Sequence, residues 1–349
     1  MEASTGWSAG WSPAETAYEP TGDPVELVTV DEAVVTGFAQ GPLRTEDGPQ
    51  RWIRGAVHDA DGTLVRASQR RWHGDRLNPI AADPEQVDPP TDVRRLEGTW
   101  LYAGHVAGHF GHFLLEHLTN LWPDPADLPP LAGVLAHRPA RGPLTDPHRR
   151  LQTPRLAPWQ HDLMTLAGYD PAGLRVVHGR DLRVERLVVP SRPVLLKRWA
   201  HEEAVRLWQR VSGAVGTRGP DRRVYLSRTR FHAEDSAERA RTEAEDDARL
   251  DARFAAAGFA VVHPETLSIA EQVAAVRGAE VLAGLSGSAL HLSVFAAPGT
   301  RVLTLGDRRS PTRPTKAQVV VDAACGHETA FVADGDHETL DRLLVGLDR

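Results

Sequence analysis

The sequence predicts an α/β protein of two lobes. Three observations carry this: a length of 349 residues, more than one hydrophobic core ordinarily holds; strands that alternate with helices; and a buried strand, Gly-rich turn and helix late in the chain. Two lobes also imply a cleft between them.

Composition supports a folded protein and bounds its partners. A hydrophobic share of 41% and a charged share of 25% are ordinary globular usage. The net charge of −7 repels polyanions, so no nucleic-acid partner is expected and any phosphate site must be local. Lys197 and Lys316 are the only lysines; arginine carries the remaining basic charge. One cysteine, Cys325, forbids an intramolecular disulfide framework and fits a reducing, cytoplasmic setting. No run of 18 apolar residues and no basic-then-apolar leader occur, so neither a membrane span nor a signal peptide is expected.

The elements follow in order. Residues 1–24, rich in Ser, Gly, Pro, Thr and Glu, read as a flexible N-terminal arm. From 25 to 71, VELVTV, RWIRGAV and TLVRAS are short strands, with the DADGT turn at 59–63 closing a hairpin. A Pro- and Asp-rich link at 81–92 precedes a strand at Leu101 that becomes helical near Gly108 and stops before Pro123. LAGVLAH, a helix near Trp159, LRVVH and RLVVP complete an N-terminal lobe over 25–200. The lobe over 201–349 alternates more regularly. It runs from a helix over 201–215 through RRVYLS, a helix ending at Gly258, FAVV, a helix opened by the capping box of Ser268 and Glu271, EVLAG, a helix from about Ser288, and RVLTL. Such alternation implies a parallel sheet covered on both faces.

Three stretches carry chemistry. In GHFGHFLLEHLTNLW, helical spacing puts His112 and Glu116 within about 40° of each other, opposite Leu114, Leu118 and Leu121. His109, His112 and Glu116 then share an exposed face, and a histidine with a carboxylate one turn away is a ready general base. The same stretch also reads as an ordinary amphipathic helix, or, through His105, His109 and His112, as a zinc site weakened by Gly104, Gly108 and Gly111. In RVYLSRT, a strand delivers Ser227 and Arg228 to the carboxyl edge of a parallel sheet, where Arg228 is either a diphosphate clamp or a surface arginine. In EVLAGLSGSALHLS, a strand ends in Gly284-Leu285-Ser286-Gly287-Ser288 and a helix begins, so that unpaired amides and the helix dipole favour an anion.

In this order the stretches resemble the family 61 glycosyltransferases over roughly residues 102–306. The match rests on GHFGHFLLE at 108–116, YLSR at 225–228, ETLSIAEQ at 265–272, and the Gly-rich turn followed by FAAPGTRVL. The resemblance implies a GT-B fold of two Rossmann-like lobes. It also implies an inverting transfer from a nucleotide-sugar donor to a glycan or lipid-linked glycan hydroxyl, with no metal or other cofactor. Where the commonest family pattern has a histidine in a G-x-H-G turn, this chain has Ser286; where it has Asn or Thr, this chain has His291. That variant resembles bacterial, polysaccharide-related members, for which peripheral membrane association is compatible with a cytoplasmic enzyme.

On this reading His112, supported by Glu116, is the base, Glu116 itself being the alternative, and His109 lies on the acceptor side. Arg228 and the amides of Ser286, Gly287 and Ser288 hold the departing diphosphate. Glu265 and Glu271 are candidate ribose or base contacts, Glu271 also being the capping partner of Ser268. The Asp-x-Asp triplets, Asp59-Ala60-Asp61 and Asp334-Gly335-Asp336, look like turns rather than metal motifs. Two other classes stay open: an inactive nucleotide-sugar-binding protein and a metallohydrolase built on the histidines.

Overall fold

A computed structural model describes residues 10–13, 25–45, 48–69, 72–73, 76–77, 83–91, 93–137, 151–152, 154–216, 222–230 and 244–347. The chain packs as two compact units. One comprises Pro20–Leu195 with His201–Leu207; the other comprises Met1–Glu19, Leu196–Ala200 and Trp208–Arg349. The junction expected at 200/201 lies inside this exchange of short segments.

The first unit is built on a seven-stranded sheet of β1 (Leu27–Val35), β2 (Val57–His58), β3 (Arg94–His105), β4 (Gly133–His137), β5 (Leu151–Gln152), β6 (Leu174–Val177) and β7 (Leu182–Pro190). Their order is β5-β6-β4-β3-β7-β1-β2. The four central strands are parallel, but β5, β1 and β2 run antiparallel to their neighbours. The Rossmann-like sheet expected here is therefore a mixed one. Its antiparallel edges come from pairings such as Leu182 with Val35, far apart in sequence and invisible to local patterning.

This sheet curls. The register shifts at Val184/Arg186 and at Tyr102/His105, and such bulges increase local twist. The curl brings Thr36, just past β1, to His137 at the end of β4: His137 Nε2 lies 2.7 Å from the Thr36 carbonyl, and its Nδ1 lies 2.8 Å from the Tyr102 hydroxyl. Burial lowers the His137 pKa to about 4, so the ring is neutral. One concave face is filled by Val35, Leu96, Leu135, Leu182, Val184 and Leu187. Gly104, at φ +66°, marks where the sheet meets the helical run that follows β3: a Cβ there would lie 2.6 Å from Asn120 Nδ2.

Helix α1 (Pro158–Leu166) follows in this unit, and α2 (Glu202–Gly213) carries the chain from the first unit into the second. The second unit contains β8 (Arg223–Leu226), α3 (Ala244–Ala256), β9 (Ala260–Val262), α4 (Ile269–Arg277), β10 (Val281–Leu285), β11 (Arg301–Leu305), α5 (Lys316–Ala324), β12 (Glu328–Val332) and α6 (His337–Gly346). The five strands are parallel in the order β9-β8-β10-β11-β12. Residues of α3 and α6, among them Phe254, Leu340, Leu343 and Leu344, pack on one face with Tyr225, Ala283, Leu303 and Val332. Tyr225 stacks on Phe254 with ring centroids 4.0 Å apart. Leu290 packs at Gly284 on the other face, with α4, α5 and the short 3-10 helix Leu290–Phe295. The parallel sheet covered on both faces that is expected for the C-terminal half is present.

Of the expected flexible arm, only residues 10–13 are described. Ser12–Pro13 pair antiparallel with Thr329 and Glu328, and the Arg301 guanidinium lies 5.4 Å from the Trp11 ring, so this stretch is docked on the sheet. The remainder of the arm lies outside the described residues. No helix among the described residues is long and apolar enough to cross a membrane.

Candidate active site

The helical run after β3 changes character along its length. Phe110–His112 is α-helical, Phe113–His117 is a π turn in which the Leu118 amide donates to the Phe113 carbonyl, and Leu118–Leu121 is 3-10. Leu114, Leu118 and Leu121 are buried, as their spacing requires. Trp159 of α1 packs edge-on against Phe110 and Phe113, with centroids 5.4 and 5.2 Å apart. Widened turns of this kind recur at functional sites, because they re-aim side chains at the cost of helix regularity.

A polar pair joins the α-helical piece to the π turn. His112 Nδ1 lies 2.5 Å from Glu116 Oε2; the Glu116 side chain is 8% exposed and that of His112 45%. The carboxylate thus lies beneath the imidazole rather than beside it on an exposed face, which corrects the expectation for Glu116. In the neutral tautomer whose Nδ1 donates to the carboxylate, Nε2 carries the lone pair that a general base requires. His109 is exposed, its ring 5.5 Å from that of His112. His105 is instead buried and stacked on His137 at 5.1 Å, so His105, His109 and His112 do not converge. Among the described residues no group of three or more His, Cys, Asp or Glu is placed to hold a metal ion.

In the second unit the sheet order fixes where a ligand belongs. Helices leave β8 and β10 on opposite faces, so the carboxyl ends of these two adjacent strands form the topological switch point at which open α/β sheets bind ligands. Register pairs Leu226 with Gly284, which puts Arg228 and the 286–288 turn on either side of that point. Loop geometry holds Arg228, itself half-buried. The Ser227 amide donates to the Val262 carbonyl at 2.8 Å, and Ser227 Oγ, Thr229 Oγ1 and Asp251 of α3 form a hydroxyl relay with steps of 3.0 and 2.7 Å. Thr229 and Asp251 carry no sequence signal; only the fold brings them together.

The Gly-rich turn differs from expectation in two ways. The helix that follows is a six-residue 3-10 helix, Leu290–Phe295, rather than an α-helix from Ser288, so its dipole is small. The Ser286 amide donates to the Leu305 carbonyl at 2.8 Å, because the parallel ladder of β10 runs one residue past the strand. That amide is therefore not available to an anion. The ladder ends before Gly287 and Ser288, which with Arg228 retain the expected position.

The other predicted residues divide. Glu265 is exposed in the turn Pro264–Thr266 directly after β9, at the same sheet edge. Glu271 is the capping residue of α4: its Oε2 lies 2.8 Å from both the amide and the hydroxyl of Ser268, while Gln272 Nε2 ties down the carbonyls of Pro264 and Leu267. ETLSIAEQ is thus a turn and helix cap whose carboxylate is occupied. His291 is buried with Nδ1 2.9 Å from Gln318 Oε1, and Gln318 Nε2 is held by Ser293 and Asp322. Asp322 is fully buried, which raises its pKa to about 7. Both Asp-x-Asp triplets lie in turns: Asp59 Oδ1 accepts from the amides of Asp61 and Thr63, and Asp336 caps α6 through the Thr339 amide.

Residues 110–303 match the family model described as Glycosyltransferase 61, and no curated protein matches the chain. The match runs from the start of the helical run carrying His112 and Glu116 into β11, and so includes the Arg228 loop and the 286–288 turn. A model that covers more than half of the chain and reaches into all three chemical stretches settles the affiliation: the chain belongs to glycosyltransferase family 61.

Proposed function

We propose that the chain is an inverting, metal-independent, cytoplasmic hexosyl- or pentosyltransferase of GT-B type. It moves a sugar from a nucleotide-sugar donor to a hydroxyl of a glycan or lipid-linked glycan, in surface-polysaccharide synthesis. The carrying observation is the buried Glu116 carboxylate bonded to the exposed imidazole of His112. That arrangement supports the reading of His112 as the proton acceptor and Glu116 as its support, over Glu116 as the base. His112 Nε2 takes the acceptor hydroxyl proton as that oxygen bonds the anomeric carbon; the bond to the diphosphate breaks on the opposite face, and its electron pair leaves with the phosphate. Arg228 and the amides of Gly287 and Ser288 stabilise the leaving charge in place of a divalent cation. The bonded His112–Glu116 pair favours turnover over binding alone, and the capping role of Asp336 leaves its triplet poorly suited to a metal.

A thermal-shift panel of nucleotide sugars tests the donor class, because a ligand of the native state raises the melting temperature. At least one nucleotide sugar is expected to raise it, with transfer to an acceptor unaffected by EDTA. No shift from any of them, or activity restored only by added manganese, refutes the proposal.

A further inference from the structure

The helical run that carries His112 is incompletely held by its own backbone. In the π turn the Leu118 amide reaches five residues back to Phe113, and in the 3-10 turn over Leu118–Leu121 amides reach three back. Carbonyls at the change of pattern lose the amide four residues on, and side chains take its place. Thr119 Oγ1 donates to the Leu115 carbonyl at 3.0 Å, and Asn120 Nδ2 donates to the Glu116 carbonyl at 2.9 Å.

Asn120 does more than Thr119. Its Nδ2 also donates to the Ala103 carbonyl of β3 at 3.1 Å, so both protons of one buried amide are spent, one on the run and one on the strand. Gly104, the next residue of β3, has φ +66°, and a Cβ there would lie 2.6 Å from that nitrogen; a glycine is what admits the bridge. The bridge ends on Glu116, whose carboxylate lies beneath His112 Nδ1, and begins on the central strand of the first sheet. Leu115, which Thr119 holds, contributes only a buried apolar side chain. The two bonds are thus alike in kind, and only one of them fixes a residue of the dyad.

We propose that Asn120 is a positioning residue for transfer: by tying the Glu116 carbonyl to Ala103 it keeps the carboxylate beneath His112 and the imidazole aimed at the acceptor. Misplacement of a reacting group by about 1 Å is enough to slow a reaction about 10²-fold, so a tether of this kind acts on kcat. The inference rests on the proposed reading of His112 as the base.

The test measures release of nucleoside diphosphate, with water as acceptor, from the nucleotide sugar that raises the melting temperature of the full chain most; affinity for that donor is measured separately. Asn120→Ala is expected to lower kcat about tenfold with donor affinity within about twofold of the parent. Thr119→Val, which removes the neighbouring bond of the same kind, is expected to keep kcat within about twofold. Combined with Glu116→Gln, for which about a 30-fold loss is expected, Asn120→Ala should add less than about twofold, whereas independent losses would multiply to roughly 300-fold. Should Asn120→Ala lose its cooperative melt, Asn120→Thr decides: its hydroxyl can serve the Glu116 carbonyl but is too short for Ala103, and kcat should fall at least about threefold. Parental kcat in the folded Asn120 variants, an equal loss in Thr119→Val, or multiplying losses in the double variant overturn the positioning role and leave the proposed function standing. Parental kcat in Glu116→Gln overturns the dyad, and both readings with it.

Discussion

Replacing Glu116 by Gln isolates the role of the buried carboxylate. The change keeps side-chain size and removes one negative charge 2.5 Å from His112 Nδ1. In the transition state His112 gains positive charge as it takes the acceptor proton, and the carboxylate attracts it. At about 4 Å between charge centres the attraction is about 4 kcal/mol at an effective dielectric of 20, and about 1 kcal/mol in bulk water. His112 is 45% exposed and Glu116 only 8%, so solvent screens the pair partly and the estimate falls between, at about 2 kcal/mol. That corresponds to about a 30-fold loss of kcat. The assay is transfer at saturating donor and acceptor, with donor affinity measured separately. Affinity should hold, because the charge matters only when the proton moves. An unchanged kcat, or a loss explained wholly by donor affinity, would refute the reasoning.

Further outcomes follow from buried titratable groups and from the helix cap. Burial raises Asp322 from 3.8 to about 7, so the folded chain binds its proton more tightly than the unfolded chain; stability therefore falls as pH rises from about 4 to about 7. Asp322→Asn should relieve this, with a gain approaching 4 kcal/mol at most above pH 7 and vanishing near pH 4, on the order of 1.4 kcal/mol per pH unit; a pH-independent difference in melting temperature contradicts it. His117 and His137, both lowered to about 4 by burial, act in the opposite sense: stability is present above pH 6.5 and is lost as pH falls toward 4. An acid unfolding transition of the first unit in that window, followed by tryptophan fluorescence, should shift to lower pH in His137→Gln. Glu271→Ala should cost about 1 kcal/mol of stability through loss of the cap, with donor affinity unchanged; a weakened donor would return Glu271 to the binding site.

The sequence makes structure legible wherever local physics decides it. The capping box of Ser268 and Glu271, the parallel strands from Val224 to Val332, and the His112–Glu116 pair all follow from spacing within one element or between consecutive ones. What stayed hidden depends on distant partners. The antiparallel edges of the first sheet need β7 to meet β1, about 150 residues earlier in the chain. The Ser286 amide is consumed by Leu305, on the next strand, and Arg228 is held through Thr229 and Asp251, neither of which stands out in the sequence. Glu116 is buried within a π turn, a departure from regular helical spacing that a helical wheel does not contain.

The most direct test of the catalytic account is His112→Ala, measured for donor binding and for transfer in the same preparation. The account requires donor affinity to stay within about twofold of the parent while transfer falls by at least about 10²-fold, the lower end of what a general base contributes. Transfer at the parental rate, or a fall in affinity that accounts for the lost activity, would show that His112 is not the base.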